Sequence, residues 1–292
     1  MKPAPFDYIV PSTIDEALEA LADADGSATI LAGGQTLMPL LALRMSMPAT
    51  IIDINRIAAL KGVKRTDGGV RIGPMTRQND VIADATLKEM QPVLVQATRY
   101  VGHHQTRNRG TIGGSIALGE PAAELPATAV ALGARIEVRS KQGKREIPAE
   151  DLYLGPYMTA LEEGELVTGL HFPDLENGSL SVFREVARRP GDFALVGLVG
   201  ALTLKDGKIA RAGLCWFGMG PTPMKLRQAE AALMGQDATS VDLRGVAELA
   251  IADADPFDDH HATGEYRRLV GKRVLTRSLS ESIDAALGRQ AA

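Results

Sequence analysis

Ala32-Gly33-Gly34-Gln35-Thr36 and Thr111-Ile112-Gly113-Gly114-Ser115 share one plan: a β-type lead-in, two adjacent glycines, then a small polar residue. Paired glycines reach positive φ and remove the Cβ atoms that keep a ligand from the main chain. Successive N–H groups in such a turn form an anion-binding concavity, and neighbouring hydroxyls add donors. Two loops of this kind facing each other can grip a diphosphate from both sides. From the residues alone, a pair of plain turns and a phosphate cradle are equally good readings. Other nucleotide signatures are missing. Gly218-Met219-Gly220 lacks the third glycine of a dinucleotide fingerprint, and no Gly-Lys pair (143–144, 207–208, 271–272) is followed by Ser or Thr.

Outward from the first pair, residues 28–31 read as the strand that feeds it. Before that, Ser12 and Thr13 precede Ile14, Ala17, Leu18, Leu21 and Ala22, an apolar stripe at helical spacing, and Thr13 with Glu16 has capping-box spacing. A second strand, 50–54, follows a polar-poor connector that carries Arg44. Hairpins are expected at 63–72, 135–148 and 193–217, around Asp67-Gly68-Gly69, Gln142-Gly143 and Asp206-Gly207. Helices are expected at 76–84, 87–100 and 121–132, and later at 225–234, 241–252 and 266–287. The polar, basic run 103–110 reads as a loop. Strands at 165–172 and 180–186 flank a linker at 174–179, which puts a domain boundary near residue 175. Strands and helices do not alternate strictly, so the class is α+β rather than doubly wound α/β.

The chain has 292 residues, enough for two domains or one large one, and 45% are hydrophobic, which excludes global disorder. A net charge of −4 and a pI near 5.8 without a basic block speak against nucleic-acid binding. One cysteine, Cys215, excludes an internal disulfide and any Cys-based zinc or iron–sulfur site. Redox chemistry here therefore needs a bound organic cofactor or a partner's centre. No stretch reads as a membrane span and the N-terminus has no signal-type apolar core, so a cytoplasmic location is the expectation.

The stretches AGGQTLMPLLALRMSMPATIIDINRI (32–57) and RNRGTIGGSIALGEPAAELPA (107–127), with the segment RRPGDFALVG (188–197), resemble one flavoprotein family. It is the FAD-binding (medium) subunit of molybdenum hydroxylases, enzymes of the xanthine dehydrogenase and carbon monoxide dehydrogenase type, and the resemblance runs nearly end to end. It implies an FAD-binding domain over 1–175, of the PCMH type shared with vanillyl-alcohol oxidase-like flavoproteins. A CO dehydrogenase flavoprotein-like C-terminal α+β domain would fill 176–292. It further implies that the two glycine loops hold the FAD pyrophosphate. By position, Leu31, Ala32, Gly33, Gly34, Gln35, Thr36, Leu37 and Met38 carry over as FAD contacts. So do Thr111, Ile112, Gly113, Gly114 and Ser115. Glu124 falls where relatives place an acidic FAD contact, often Asp. Tyr100, Val167 and Arg184 align with flavin-neighbouring positions, Arg184 standing where some members have Lys. Where relatives commonly read His-Ala-Asp-Pro, this chain has Leu118-Gly119-Glu120-Pro121, a departure near the flavin ring that spares both loops.

The implied function is electron transfer. A large partner subunit would hold the molybdenum cofactor and hydroxylate the substrate. A small partner with [2Fe-2S] clusters would relay electrons to FAD here, and an external acceptor would take them. The assembly would be a heterotrimer, doubled into a dimer of heterotrimers. No catalytic acid, base, nucleophile or metal ligand is assigned to this chain, because the flavin carries the chemistry. The flavin is expected to be non-covalent, since only His103 and His104 are plausible attachment points. The alternatives are a free-standing FAD-dependent oxidoreductase and a non-catalytic nucleotide-binding module. A permanent subunit must also expose an apolar patch, with Met45, Met47 and the tip at 216–219 as candidates.

Overall fold

Three short parallel strands begin the chain, β1 (Asp7–Ile9), β2 (Ala28–Leu31) and β3 (Thr50–Asp53), in the order β1-β3-β2. They come from a computed structural model that describes residues 2–252 and 254–288. Helix α1 (Ile14–Asp23) joins β1 to β2. Its capping box forms as the Thr13/Glu16 spacing predicts, and Ala17 and Leu18 bury against Ile52, Ile54 and Leu60. The connector after the first glycine pair holds a helix that patterning did not reveal, α2 (Leu37–Leu43). Its run LMPLLAL has no polar face to set a period, and Pro39 is tolerated because it lies in the first turn. Arg44 ends it in the left-handed region, φ 57°.

A five-stranded antiparallel sheet follows. It contains β4 (Val63–Thr66), β5 (Gly69–Ile72), β6 (Arg135–Ser140) and β7 (Gly143–Pro148). After a small hairpin of β8 (Tyr153–Gly155) and β9 (Met158–Thr159), β10 (Leu166–Pro173) enters its centre, giving the order β4-β5-β10-β6-β7. The expected hairpins at 63–72 and 135–148 are both present.

Six helices lie between β5 and β6: α3 (Gln78–Ala83), α4 (Ala85–Met90), α5 (Pro92–Thr98), α6 (His104–Arg109), α7 (Ile112–Leu118) and α8 (Glu124–Ala131). Two expectations need correction here. The single helix at 87–100 is broken at Gln91 (φ −136°, ψ 55°), because Pro92 cannot continue a helix but starts one well. The run 103–110 is not a loop but contains α6, which buries no residue and so shows no apolar period.

The remainder is a four-stranded antiparallel sheet, β11 (Ser179–Val186), β12 (Val196–Lys205), β13 (Lys208–Phe217) and β14 (Met224–Lys225), with α9 (Arg227–Leu233), α10 (Leu243–Ala252) and α11 (Gly264–Ala286). Val182, Leu198, Leu214 and Trp216 face these three helices, and Trp216 Nε1 donates to Ala250 O at 2.9 Å. The opposite face carries Val199, Ala201, Cys215 and Phe217, which join α5, α8 and the five-stranded sheet in one core. The architecture is α+β, as expected. Trp216, Phe217 and Met219 are fully buried, so the 216–219 segment is no exposed tip; of the proposed patch only Met45 and Met47 remain, 72% and 66% exposed. No helix among the described residues is long and apolar enough to cross a membrane.

Candidate functional site

The first glycine pair turns the chain sharply out of β2. Gly34 sits at φ +73°, which glycine adopts without strain. The N–H groups of Gly34, Gln35, Thr36 and Leu37 find no acceptor among the described residues, while Gly33 O takes Gln35 Nε2 and Gly34 O takes Met38 N. Four consecutive N–H donors are thus left free at the head of α2, beside the exposed hydroxyl of Thr36. Gly33 explains the close approach of the second loop. A Cβ there would lie 2.6 Å from Arg109 O, 2.8 Å from Gly110 Cα and 3.1 Å from Thr111 N.

The second pair behaves differently from the expectation of a matching turn. Gly113 and Gly114 form the first turn of α7, neither at positive φ. Their N–H groups are already used: Gly113 donates to Pro74 O at 2.8 Å and Gly114 to the capping Thr111 Oγ1 at 3.0 Å. The glycines serve packing instead. A Cβ on Gly113 would lie 2.3 Å from Pro74 Cβ, and one on Gly114 would lie 2.8 Å from Thr111 Oγ1 and 3.6 Å from Ala32 Cβ. The first loop offers main-chain donors; in the second, Thr111 is buried and its oxygen caps α7, while Ser115 is only partly buried. Ile112 is buried, its N–H bound to Thr76 O.

Glu124 opens α8 and is buried. Burial, then the nearby Glu185 carboxylate, pushes its pKa up to about 8, and burial pushes Glu185 up to about 7. Glu185 Oε2 is buried without a partner among the described residues. Glu124 therefore holds a proton at neutral pH and can donate a hydrogen bond, rather than only accept one as its charge alone suggests. Glu120, in the segment that departs from the family pattern, accepts from Ala122 N at 3.0 Å and from the Tyr157 hydroxyl.

Tyr100, half exposed, packs its ring 4.6 Å from that of Phe183, which in turn lies 6.1 Å from Phe217. Val167 buries its side chain in the main core beside a bulge between Val167 and Gly169. Leu31 closes β2 and Leu37 and Met38 begin α2, Met38 being largely exposed. Arg184 stands apart: neighbouring strand residues alternate faces, and it turns to α11, bonding Ser278 Oγ at 3.2 Å and Glu281. Glu185, the next residue, is the one close to Glu124.

Residues 4–175 match the family described as the FAD binding domain in molybdopterin dehydrogenase, and residues 181–282 the CO dehydrogenase flavoprotein C-terminal domain. The chain belongs to the FAD-binding medium-subunit family of the molybdopterin dehydrogenases. It is 37% identical to the 6-hydroxypseudooxynicotine dehydrogenase complex subunit alpha of Paenarthrobacter nicotinovorans, covering 98% of this chain and 97% of that one. It is 36% identical to the glyceraldehyde dehydrogenase medium chain of Sulfolobus acidocaldarius, covering 96% and 99%. A solved carbon monoxide dehydrogenase from Hydrogenophaga pseudoflava contains a chain that superposes with a TM-score of 0.95 at 33% identity, over 98% of this chain and 99% of that one.

The residues of this medium subunit fit FAD. The free N–H run and the Ser115 hydroxyl suit an anionic diphosphate, and the protonated Glu124 suits ribityl or ring oxygens. His103 is wedged against Gly191, whose Cβ would lie 2.5 Å from the ring, so the family segment 188–197 docks on the start of α6. Asp258 and Asp259 bind main-chain N–H groups and Arg267, which accounts for the acid-histidine run at 258–261. Sequence reasoning missed Glu185, Asn55 and Arg77. Asn55 had a faint signal, the Asp-x-Asn at the end of β3; the other two act across long chain separations that no local pattern reports.

Proposed function

We propose that this chain is the FAD-carrying electron-transfer subunit of a molybdenum-containing hydroxylase, with FAD held non-covalently and its diphosphate between residues 33–37 and 111–115. The observation that carries this reading is the run of four free N–H groups pressed, through Gly33, against the second loop. When bound, FAD supplies the exchange of electrons between one-electron and two-electron partners. The chain's own part is to bind and orient: the 34–37 amides and the Ser115 hydroxyl fix the diphosphate, Thr111 holds the second loop by capping α7, Glu124 keeps a proton on its carboxyl, and Tyr100 offers a ring face. A single, buried Cys215 cannot ligate an iron–sulfur cluster. The [2Fe-2S] clusters therefore belong to a small partner, the molybdenum cofactor to a large molybdopterin-binding partner, and the trimer pairs into a dimer of heterotrimers. An external acceptor takes the electrons. Relatives named for carbon monoxide, glyceraldehyde and a hydroxylated nicotine derivative match this chain over 96–98% of its length. Substrate choice accordingly lies in the large partner.

Affinity purification of this chain from its own cells tests the reading. Two further subunits, one with molybdopterin and one with [2Fe-2S] clusters, are expected alongside FAD. A lone yellow chain that oxidises a substrate unaided contradicts it.

A further inference from the structure

Two side chains, Arg77 and Asn55, tie the two loops together. Arg77, just before α3, donates from one guanidinium nitrogen to Arg109 O and from the other to Asn55 Oδ1. Asn55 Nδ2 in turn donates to Ala32 O at 2.8 Å. The linkage therefore runs from the residue before Gly110 to the residue before Gly33. Its middle member is itself fixed, because Asn55 N donates to Asp53 Oδ1 at 2.9 Å and the Tyr8 hydroxyl donates to the other Asp53 oxygen.

We propose that Arg77, acting through Asn55, is a positioning residue that sets the spacing of the two loops for a diphosphate. This rests on the reading that FAD lies between them. The chemistry of the fork argues for it: a planar guanidinium presents donors in fixed geometry and bridges two acceptors, whereas an ammonium is a compact point charge. The charge argues for it too. Arg77 is half-buried, yet among the described residues no carboxylate forms an ion pair with it or with Arg109. Burial and the nearby Arg109 both lower the pKa of Arg77. Asp53 and Asp80 lie near enough to offset part of this charge without pairing directly with it, and an anion between the loops would add to that compensation.

The test titrates the flavin-free full chain with FAD and, separately, with ADP, which keeps the diphosphate and lacks the flavin. Arg77→Met and Arg77→Lys should each weaken both ligands by a similar factor, about tenfold or more, as expected for lost charged hydrogen bonds. The Lys variant should fail to rescue, because it keeps the charge but not the fork. Melting of the flavin-free variants close to wild type separates positioning from loss of fold. Arg77→Lys holding FAD within about threefold of wild type, or either variant losing FAD while binding ADP normally, overturns the proposal. A wild-type chain that binds FAD but shows no ADP binding removes the underlying diphosphate reading instead.

Discussion

Gly33 and Gly110 touch where neither has room for a side chain: a Cβ on Gly33 would stand 2.8 Å from Gly110 Cα and 2.6 Å from the preceding carbonyl of Arg109. Real Cβ contacts do not come that close, and both neighbours are main chain, so relief would have to part the loops. The site is therefore assembled by backbone-to-backbone approach, and the diphosphate reading depends on that approach being kept.

The second loop makes a related prediction by a different route. Gly114→Val places its branch on Thr111 Oγ1, 2.8 Å from where a Cβ begins, and breaks the cap of α7 before it touches any ligand. Loss of an N-cap costs about 1 kcal/mol, up to about 2. Weaker FAD binding and a lower melting temperature should appear together, whereas Thr111→Ser, which keeps the capping oxygen, should preserve most of both. Calorimetric melting and flavin titration on the two variants check this; Gly114→Val with wild-type melting would contradict it.

The buried acids give stability a pH dependence. Glu124 and Glu185 have pKa values of about 8 and about 7 in the folded chain, above the ordinary carboxylate value near 4.5. The folded state therefore holds protons that the unfolded state has released, and stability falls as pH rises from about 4.5 toward 8. The flavin-free chain should melt at a lower temperature at pH 8 than at pH 6, and Glu185→Gln should flatten that slope. Other groups act in the opposite sense below this window: Glu137, first disfavoured by burial but then outweighed by hydrogen bonds from Arg71 and Thr168, falls to about 2. A slope unchanged by Glu185→Gln would contradict the account.

How much of this the sequence disclosed depends on whether the cause was local. The hairpins at 63–72 and 135–148 and the capping box of α1 rest on contacts within a few residues, and they form where their turn and cap residues stand. The first glycine pair was legible for the same reason. The second pair was misread as a turn because its glycines answer to Pro74 and Thr111, not to their own φ. Helix α6 buries nothing and α2 has no polar face, so neither carries a period. Arg77 and Glu185 matter through partners more than twenty residues away.

Met45 and Met47, just after α2, and Leu43 and Met38 on it are all exposed apolar side chains. A subunit in a permanent complex buries such surface. Met45→Glu with Met47→Glu should reduce the partner subunits recovered with the tagged chain, while the chain's own flavin content stays near wild type. Full recovery of the partners would remove this surface from the interface.

Non-covalent binding has a direct check in acid precipitation. His103 is packed against Gly191, and His104 Nδ1 lies 3.3 Å from Asn108 Nδ2, so both rings already have protein neighbours. The flavin colour should remain in the supernatant; a yellow pellet would contradict this.

The most direct test of the central claim is the flavin-to-protein absorbance ratio of purified Gly33→Val beside Gly143→Ala. Gly143, at a hairpin end with φ +153°, has nothing within 4 Å of a built Cβ, so its substitution costs some stability far from the loops. With circular dichroism showing both proteins folded, the account predicts that Gly143→Ala keeps a full complement of FAD and that Gly33→Val retains almost none. A folded Gly33→Val chain carrying as much FAD as wild type would show that the diphosphate does not lie between these two loops.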